Sequence, residues 1–165
     1  MRKFDFAMKN GAPAYANAQI PEYQTRDAAG ADFFAAEDVT INPIMQGGGV
    51  VLVHTGIKAQ MEKDEVLYLY NRSSNPKKRG LVLANSVGVV DADYYGNPDN
   101  DGEIGFAFFN VGSEPVEIKA GERIGQGVYQ KFLHPQENLR VKDVDRAGGW
   151  GSTSKEEPKE EELEM

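Results

Sequence analysis

The 165-residue chain contains no cysteine. Disulfides, thiolate zinc sites and cysteine nucleophiles are therefore excluded, and the composition fits a reducing compartment. No apolar run approaches the ~20 residues needed to cross a bilayer, and the opening MRKFDFAMKN lacks a signal-peptide core. A cytoplasmic address is the expectation. There are two histidines and one tryptophan. Positive charge is in short supply: 18 Lys and Arg stand against 26 Asp and Glu, a formal net charge of -8. Residues 154–165 hold six Glu and two Lys, which leaves -4 for the body. Such a body is ill suited to nonspecific polyanion binding, yet a few placed arginines can still hold a small anion. Neither nucleic acid nor membrane is an expected partner.

Helix signals are also few. The best is Ser73–Arg79, a turn or two capped by Ser and closed by Gly80. What the chain does have is strand signal: short runs rich in β-branched and aromatic residues, bounded by Gly, Asn, Asp and Pro. Phe4–Met8, Asp32–Ala36, Val39–Ile41, Val50–Thr55, Ile57–Met61, Val66–Tyr70, Glu103–Phe109, Val116–Ile118 and Ile124–Leu133 all read this way. The spacing predicts an all-β sandwich, jelly roll or barrel in residues 1–145. Residues 146–153 read as a glycine-rich arm, and residues 154–165 as an acidic tail too polar to fold. Ile104–Phe109 is apolar on both faces, and with Val128, Tyr129 and Phe132 it suggests surface that a second copy would cover.

Four patches carry candidate chemistry. Asn71-Arg72-Ser73-Ser74 combines two hydroxyls with a guanidinium at a helix start, an anion site or simply a capped helix. Gly80–Gly96 runs GLVLANSVGVVDADYYG, with Asp91 after two valines. Asp91 reads as a partly buried general base, or else Asp91 and Asp93 only shape a turn. Asn85 offers a donor and an acceptor, and Gly88 lets a flat ligand approach the backbone. Gln126, in Arg123-Ile124-Gly125-Gln126, needs a partner if buried and none if it faces outward. Trp150 lies in the coreless Arg146–Thr153 and either pins the arm to its own domain or closes over a ligand. His54 reads as a satisfied core or interface residue. No His/Asp/Glu cluster has the spacing of an all-protein metal cage.

Taken in order with Ala29–Ala36, these patches resemble the five motifs of the trimeric dUTP pyrophosphatase (dUTPase) family. Ala29–Ala36 resembles the first, Arg72–Ser74 the second, Gly80–Gly96 the third, Arg123–Gln126 the fourth and Arg146–Ser152 the fifth. The resemblance implies a homotrimer of jelly-roll-like (β-clip) subunits that hydrolyses dUTP to dUMP and pyrophosphate, with Mg2+ on the triphosphate. Such an activity keeps uracil out of DNA and supplies dUMP. It further implies that Asp91 activates the attacking water and that Tyr94 packs under the deoxyribose. Asn85 and the backbone of Gly88, Val89 and Val90, on a tight hairpin, would read uracil. Arg72, Ser73, Ser74 and Gln126, in the second and fourth motifs that a neighbouring subunit contributes, would hold the phosphates. Arg146 would clamp the γ-phosphate, Trp150 would stack on the base with Gly151 and Ser152 in the same lid, and Asp32 would act from behind the site. The alternative readings are a dCTP deaminase-like enzyme of the same fold, mono- or bifunctional, and a non-catalytic dUTP-binding regulatory relative. The chain departs from the pattern in three places. A single residue, Ala147, separates Arg146 from Gly148-Gly149; the loop Asn97–Gly102 is long; and the acidic tail has no counterpart in the activity. The glycine-heavy Gln46–Gly49 has no functional account.

Overall fold

The computed structural model describes residues 1–137, 139–141, 146 and 148. In chain order its strands are β1 (Lys3–Phe6), β2 (Met8–Lys9), β3 (Ala12–Pro13), β4 (Ala31–Phe34), β5 (Val39–Ile41) and β6 (Val51–Gln60). They continue as β7 (Glu65–Asn71), β8 (Leu81–Leu83), β9 (Gly88–Asp91), β10 (Ile104–Asn110), β11 (Val116–Ile118) and β12 (Arg123–Lys131). Two antiparallel four-stranded sheets, β1-β6-β10-β8 and β4-β12-β7-β9, form a sandwich, with β5-β11 and β2-β3 as side ribbons. The all-β, jelly-roll-like expectation holds. Among the described residues no helix is long and apolar enough to cross a membrane.

Period-two alternation puts one row of each strand into the core. Phe33 of β4 meets Phe106 of β10 with ring centroids 5.5 Å apart, and Phe4 of β1 meets Phe33 edge-on at 5.3 Å. Phe33, Phe106, Phe108, Ile57, Leu67 and Leu81 are fully buried and tie the sheets together, each contributing about 1.5–3 kcal/mol of transfer free energy.

Three sequence expectations change. Val50–Thr55 and Ile57–Met61 are one strand, because Gly56 takes φ +69° and carries the chain through a register shift opposite Ile104/Gly105 instead of ending it. The helix is a single wide turn, Asn75–Arg79; Gly80 closes it at φ +66°, but the side chain of Ser74 makes no cap hydrogen bond. Its order comes from Asn75, whose buried amide donates to Asn71 Oδ1 at 2.8 Å and to the Ile124 carbonyl at 2.9 Å. Finally, Ile104–Phe108 is buried within the single chain. That strand therefore offers no uncovered face as grounds for a trimer.

Candidate active site

The stretch from Leu81 to Asp91 reads as a hairpin, but its two strands belong to different sheets. β8 pairs with β10 in the first sheet, while β9 pairs with β7 in the second. The turn between them therefore bridges the open edge of the sandwich. Ser86 takes φ +61°, its N–H donates to the Leu83 carbonyl at 3.2 Å, and the Val87 N–H donates to the Asn85 carbonyl at 2.7 Å. Gly88 is needed for packing: a Cβ there would come 2.9 Å from Leu69 on β7.

Between the sheets at this edge lies a cavity of about 220 Å³, lined by Leu69, Asn85, Val89, Val90, Tyr94 and Arg146 and by the start of β10. Strand alternation turns Gly88 and Val90 inward and Val89 and Asp91 outward. Asp91 is therefore 51% exposed, not partly buried as its apolar run suggests. Arg146 Nη2 lies 3.0 Å from Asp91 Oδ2, Arg146 Nε lies 3.6 Å from Asp93 Oδ1, and the guanidinium sits 5.6 Å from the centre of the Tyr94 ring. Tyr94 is buried, which pushes its hydroxyl above the ordinary tyrosine value and keeps it a neutral donor. That hydroxyl donates to the Glu103 carbonyl at 3.0 Å.

The other predicted residues gather elsewhere, around β4, β7 and β12. Arg72 Nη1 donates to the Arg123 carbonyl at 3.0 Å, and Arg123 Nη1 pairs with Asp32 Oδ2 at 3.1 Å. Gln126 stands opposite Asp32 in the β-ladder, its amide oxygen so close to Gly30 that a Cβ there would sit 2.6 Å away. Ser73 is exposed and Ser74 half-buried. Thus Arg72, Asp32 and Gln126 form one group, with Ser73 and Ser74 following Arg72 in the chain. Asn85, Val89, Val90, Asp91, Tyr94 and Arg146 form another, and none of the first group lines the cavity of the second. Trp150, Gly151 and Ser152 lie outside the described residues, as do residues 154–165.

Sequence reasoning missed three residues that shape the site. Arg123 bridges Asp32 and Arg72. Glu103 lines the cavity and receives the Tyr94 hydroxyl. Asn100 reaches that hydroxyl from the loop Asn97–Gly102. Glu103, a carboxylate opening the apolar run Ile104–Phe109, was the one available signal; nothing local distinguishes Asn100.

Fold and site define an all-β protein with an acid-edged cavity at the margin of a sandwich. A family model described as dUTPase matches residues 16–154. The deoxyuridine 5'-triphosphate nucleotidohydrolase of Lactococcus lactis is 48% identical over 141 residues, covering 84% of this chain and 91% of that protein. That of Wolinella succinogenes is 38% identical over 143 residues, covering 84% and 89%. Among solved structures, dUTPase from Streptococcus mutans matches with a TM-score of 0.72 at 45% identity, covering 81% of this chain and 98% of that one. The dUTPase from phage phi11 of S. aureus, at 20% identity, shares the fold with a TM-score of 0.67, covering 88% and 97%. The chain belongs to the dUTPase family.

Proposed function

We propose that this chain hydrolyses dUTP, presented as its Mg2+ complex, to dUMP and pyrophosphate, with Asp91 as general base. The supporting observation is a half-exposed carboxylate beside a cavity that also holds Tyr94, Asn85 and Arg146. Water attacks the α-phosphorus, its proton passes to the Asp91 carboxylate, and the bond from the α-phosphorus to the α,β-bridging oxygen breaks. Pyrophosphate leaves with that oxygen. Tyr94 packs against the deoxyribose, and Asn85 with the backbone of Gly88, Val89 and Val90 reads the uracil edge. Arg146 exchanges Asp91 for the incoming phosphate chain, and Trp150, Gly151 and Ser152 close over the base.

Among the described residues no three His, Cys, Asp or Glu side chains converge as a metal cluster. Asp91 and Asp93 are oxygen donors of the hard type that suits Mg2+, and an ion carried by phosphate oxygens and water fits beside them. Once bound, it offsets triphosphate charge.

The phosphate-holding residues Arg72, Ser73, Ser74 and Gln126, with Asp32 behind them, do not line this chain's own cavity, which suggests that they serve a neighbouring copy in a homotrimer. Apolar side chains left in solvent, such as Leu133 at 96% and Val89 at 60%, are compatible with that assembly. Residues 1–145 then form the catalytic body, 146–153 its lid and 154–165 a solubilising tail, at a cytoplasmic address.

The test is pyrophosphate release from dUTP, UTP, dTTP and dCTP with Mg2+. Only dUTP should be cleaved. Asp91→Asn should keep nucleotide binding and lower kcat by about 10²–10⁴-fold. Normal turnover in that variant would remove Asp91 from its role, and ammonia release from dCTP would point to a deaminase instead.

A further inference from the structure

Residues 97–102 have no part in the proposed chemistry, yet they fold back onto Tyr94. The Asn97 N–H donates to the Tyr94 carbonyl at 3.1 Å, the Asp101 N–H to the Asn97 carbonyl at 2.7 Å, and the Gly96 N–H to the Asp101 carbonyl at 3.1 Å. The loop closes this tightly through two positive φ angles, +60° at Asp101 and +81° at Gly102, and a Cβ at Gly102 would collide with the Tyr94 carbonyl. Asn100 is thereby delivered to the phenol. Its Nδ2 donates to Tyr94 Oη at 2.8 Å and to the Glu103 carbonyl at 3.3 Å, while its Oδ1 accepts the Gly102 N–H at 3.1 Å.

Both ends of this clamp are anchored. Glu103 Oε1 accepts the Thr55 and Gly56 N–H groups at 2.9 Å each, and Glu103 Oε2 faces His54 Nδ1 at 3.0 Å. Lys58 Nζ holds Asp101 Oδ2 at 2.6 Å, and the Met8 N–H donates to the same oxygen at 2.8 Å. The ring of Tyr94 cannot withdraw from the cavity without breaking bonds at its hydroxyl.

Steric rejection is only as strong as the wall is stiff, because a yielding wall admits an added hydroxyl at modest cost. We propose that Asn100 is a positioning residue for Tyr94: by holding the hydroxyl it fixes the ring, and the fixed ring sets how strongly a ribonucleotide is refused against its 2'-deoxy counterpart. This rests on the reading of Tyr94 as the surface beneath the sugar. It gives the long loop a role in specificity, although no side chain of residues 97–102 lines the cavity.

The test is kcat and KM for dUTP and UTP in the full chain and in Asn100→Ala, Tyr94→Phe, the double variant and Tyr94→Ala, with Tm measured on each. Loss of one clamped hydrogen bond should raise the UTP/dUTP ratio of kcat/KM about two- to tenfold, mainly by lowering KM for UTP. Tyr94→Phe, which also loses the bond to the Glu103 carbonyl, should shift the ratio at least as far as Asn100→Ala, and the double variant should be no worse than Tyr94→Phe, since the Asn100–Tyr94 bond is already absent there. An Asn100→Ala protein with lower Tm but an unchanged ratio would overturn the inference. If Asn100→Ala does not fold, an unchanged ratio in the near-isosteric Tyr94→Phe would overturn it equally. The two readings separate at Tyr94→Ala: a shifted ratio there with none in the other variants defeats only the role of Asn100. No shift there defeats the sugar-packing reading and this inference with it.

Discussion

Asp91 and Glu103 are both carboxylates at strand ends, and their surroundings give them opposite characters. Glu103 is 5% exposed and satisfied by two backbone N–H groups and an imidazole, so it acts as a structural anchor. Asp91 is half in solvent and, among the described residues, is paired with the Arg146 guanidinium, which leaves it open to the proposed ligand. The anchor has a pH signature. The hydrogen bond to Glu103 raises the His54 pKa above its ordinary value; burial lowers it, and the charges of Glu103 and Glu37 raise it. The His54 ring also stacks on Tyr15 with centroids 5.2 Å apart. A folded-state pKa above the unfolded one means that the pairing stabilises fully below about pH 6.5 and fades as pH rises through the folded value. The Tm advantage of the parent over His54→Gln should therefore be largest near pH 6 and shrink toward pH 8.5. A pH-independent difference in thermal denaturation would show that the ring contributes packing and no charge.

At the scale of elements, the turn Asn75–Arg79 shows how a side chain replaces a missing cap. Asn75 joins three elements: its own turn, β7 through Asn71, and β12 through the Ile124 carbonyl. Asn75→Ala leaves a buried carbonyl without its donor, which should cost about 1–3 kcal/mol and lower the urea midpoint without changing m. Because Arg72, Ser73 and Ser74 lead into this turn, KM for dUTP should rise while kcat changes less. An unchanged midpoint would mean that backbone alone shapes the turn. Most strands were legible in the sequence, since β-branched runs between turn residues announce themselves. The merging of two runs across Gly56 was not, because a glycine that ends a strand and one that carries a bulge look alike until the partner strand is known.

At the scale of the whole molecule, among the described residues the twelve strands end by Lys131, so both four-stranded sheets are built from residues well before Arg146. A chain truncated before Arg146 should keep a cooperative unfolding transition while losing about 10²-fold or more in dUTP turnover, as the proposed phosphate clamp and lid are removed. Full activity in the truncated protein would eliminate the lid. Light scattering of the intact protein should give the mass of three chains; a monomer with full activity would contradict the division of the site between copies.

The sequence by itself determined the fold class, because alternation and turn residues are local properties of the chain, and its motif order marked the candidate reactive groups. It also marked Asp91, Tyr94 and Arg146 separately as candidate site residues, and the structure brings them together. Only the tertiary structure decided that β8 and β9 enter different sheets and open a cavity between them. It also decided that Asp91 faces water and that Asn100 and Glu103 hold the Tyr94 hydroxyl. Each of these depends on which strand lies beside which, and that pairing is set by burial across the whole core rather than by any neighbouring residue.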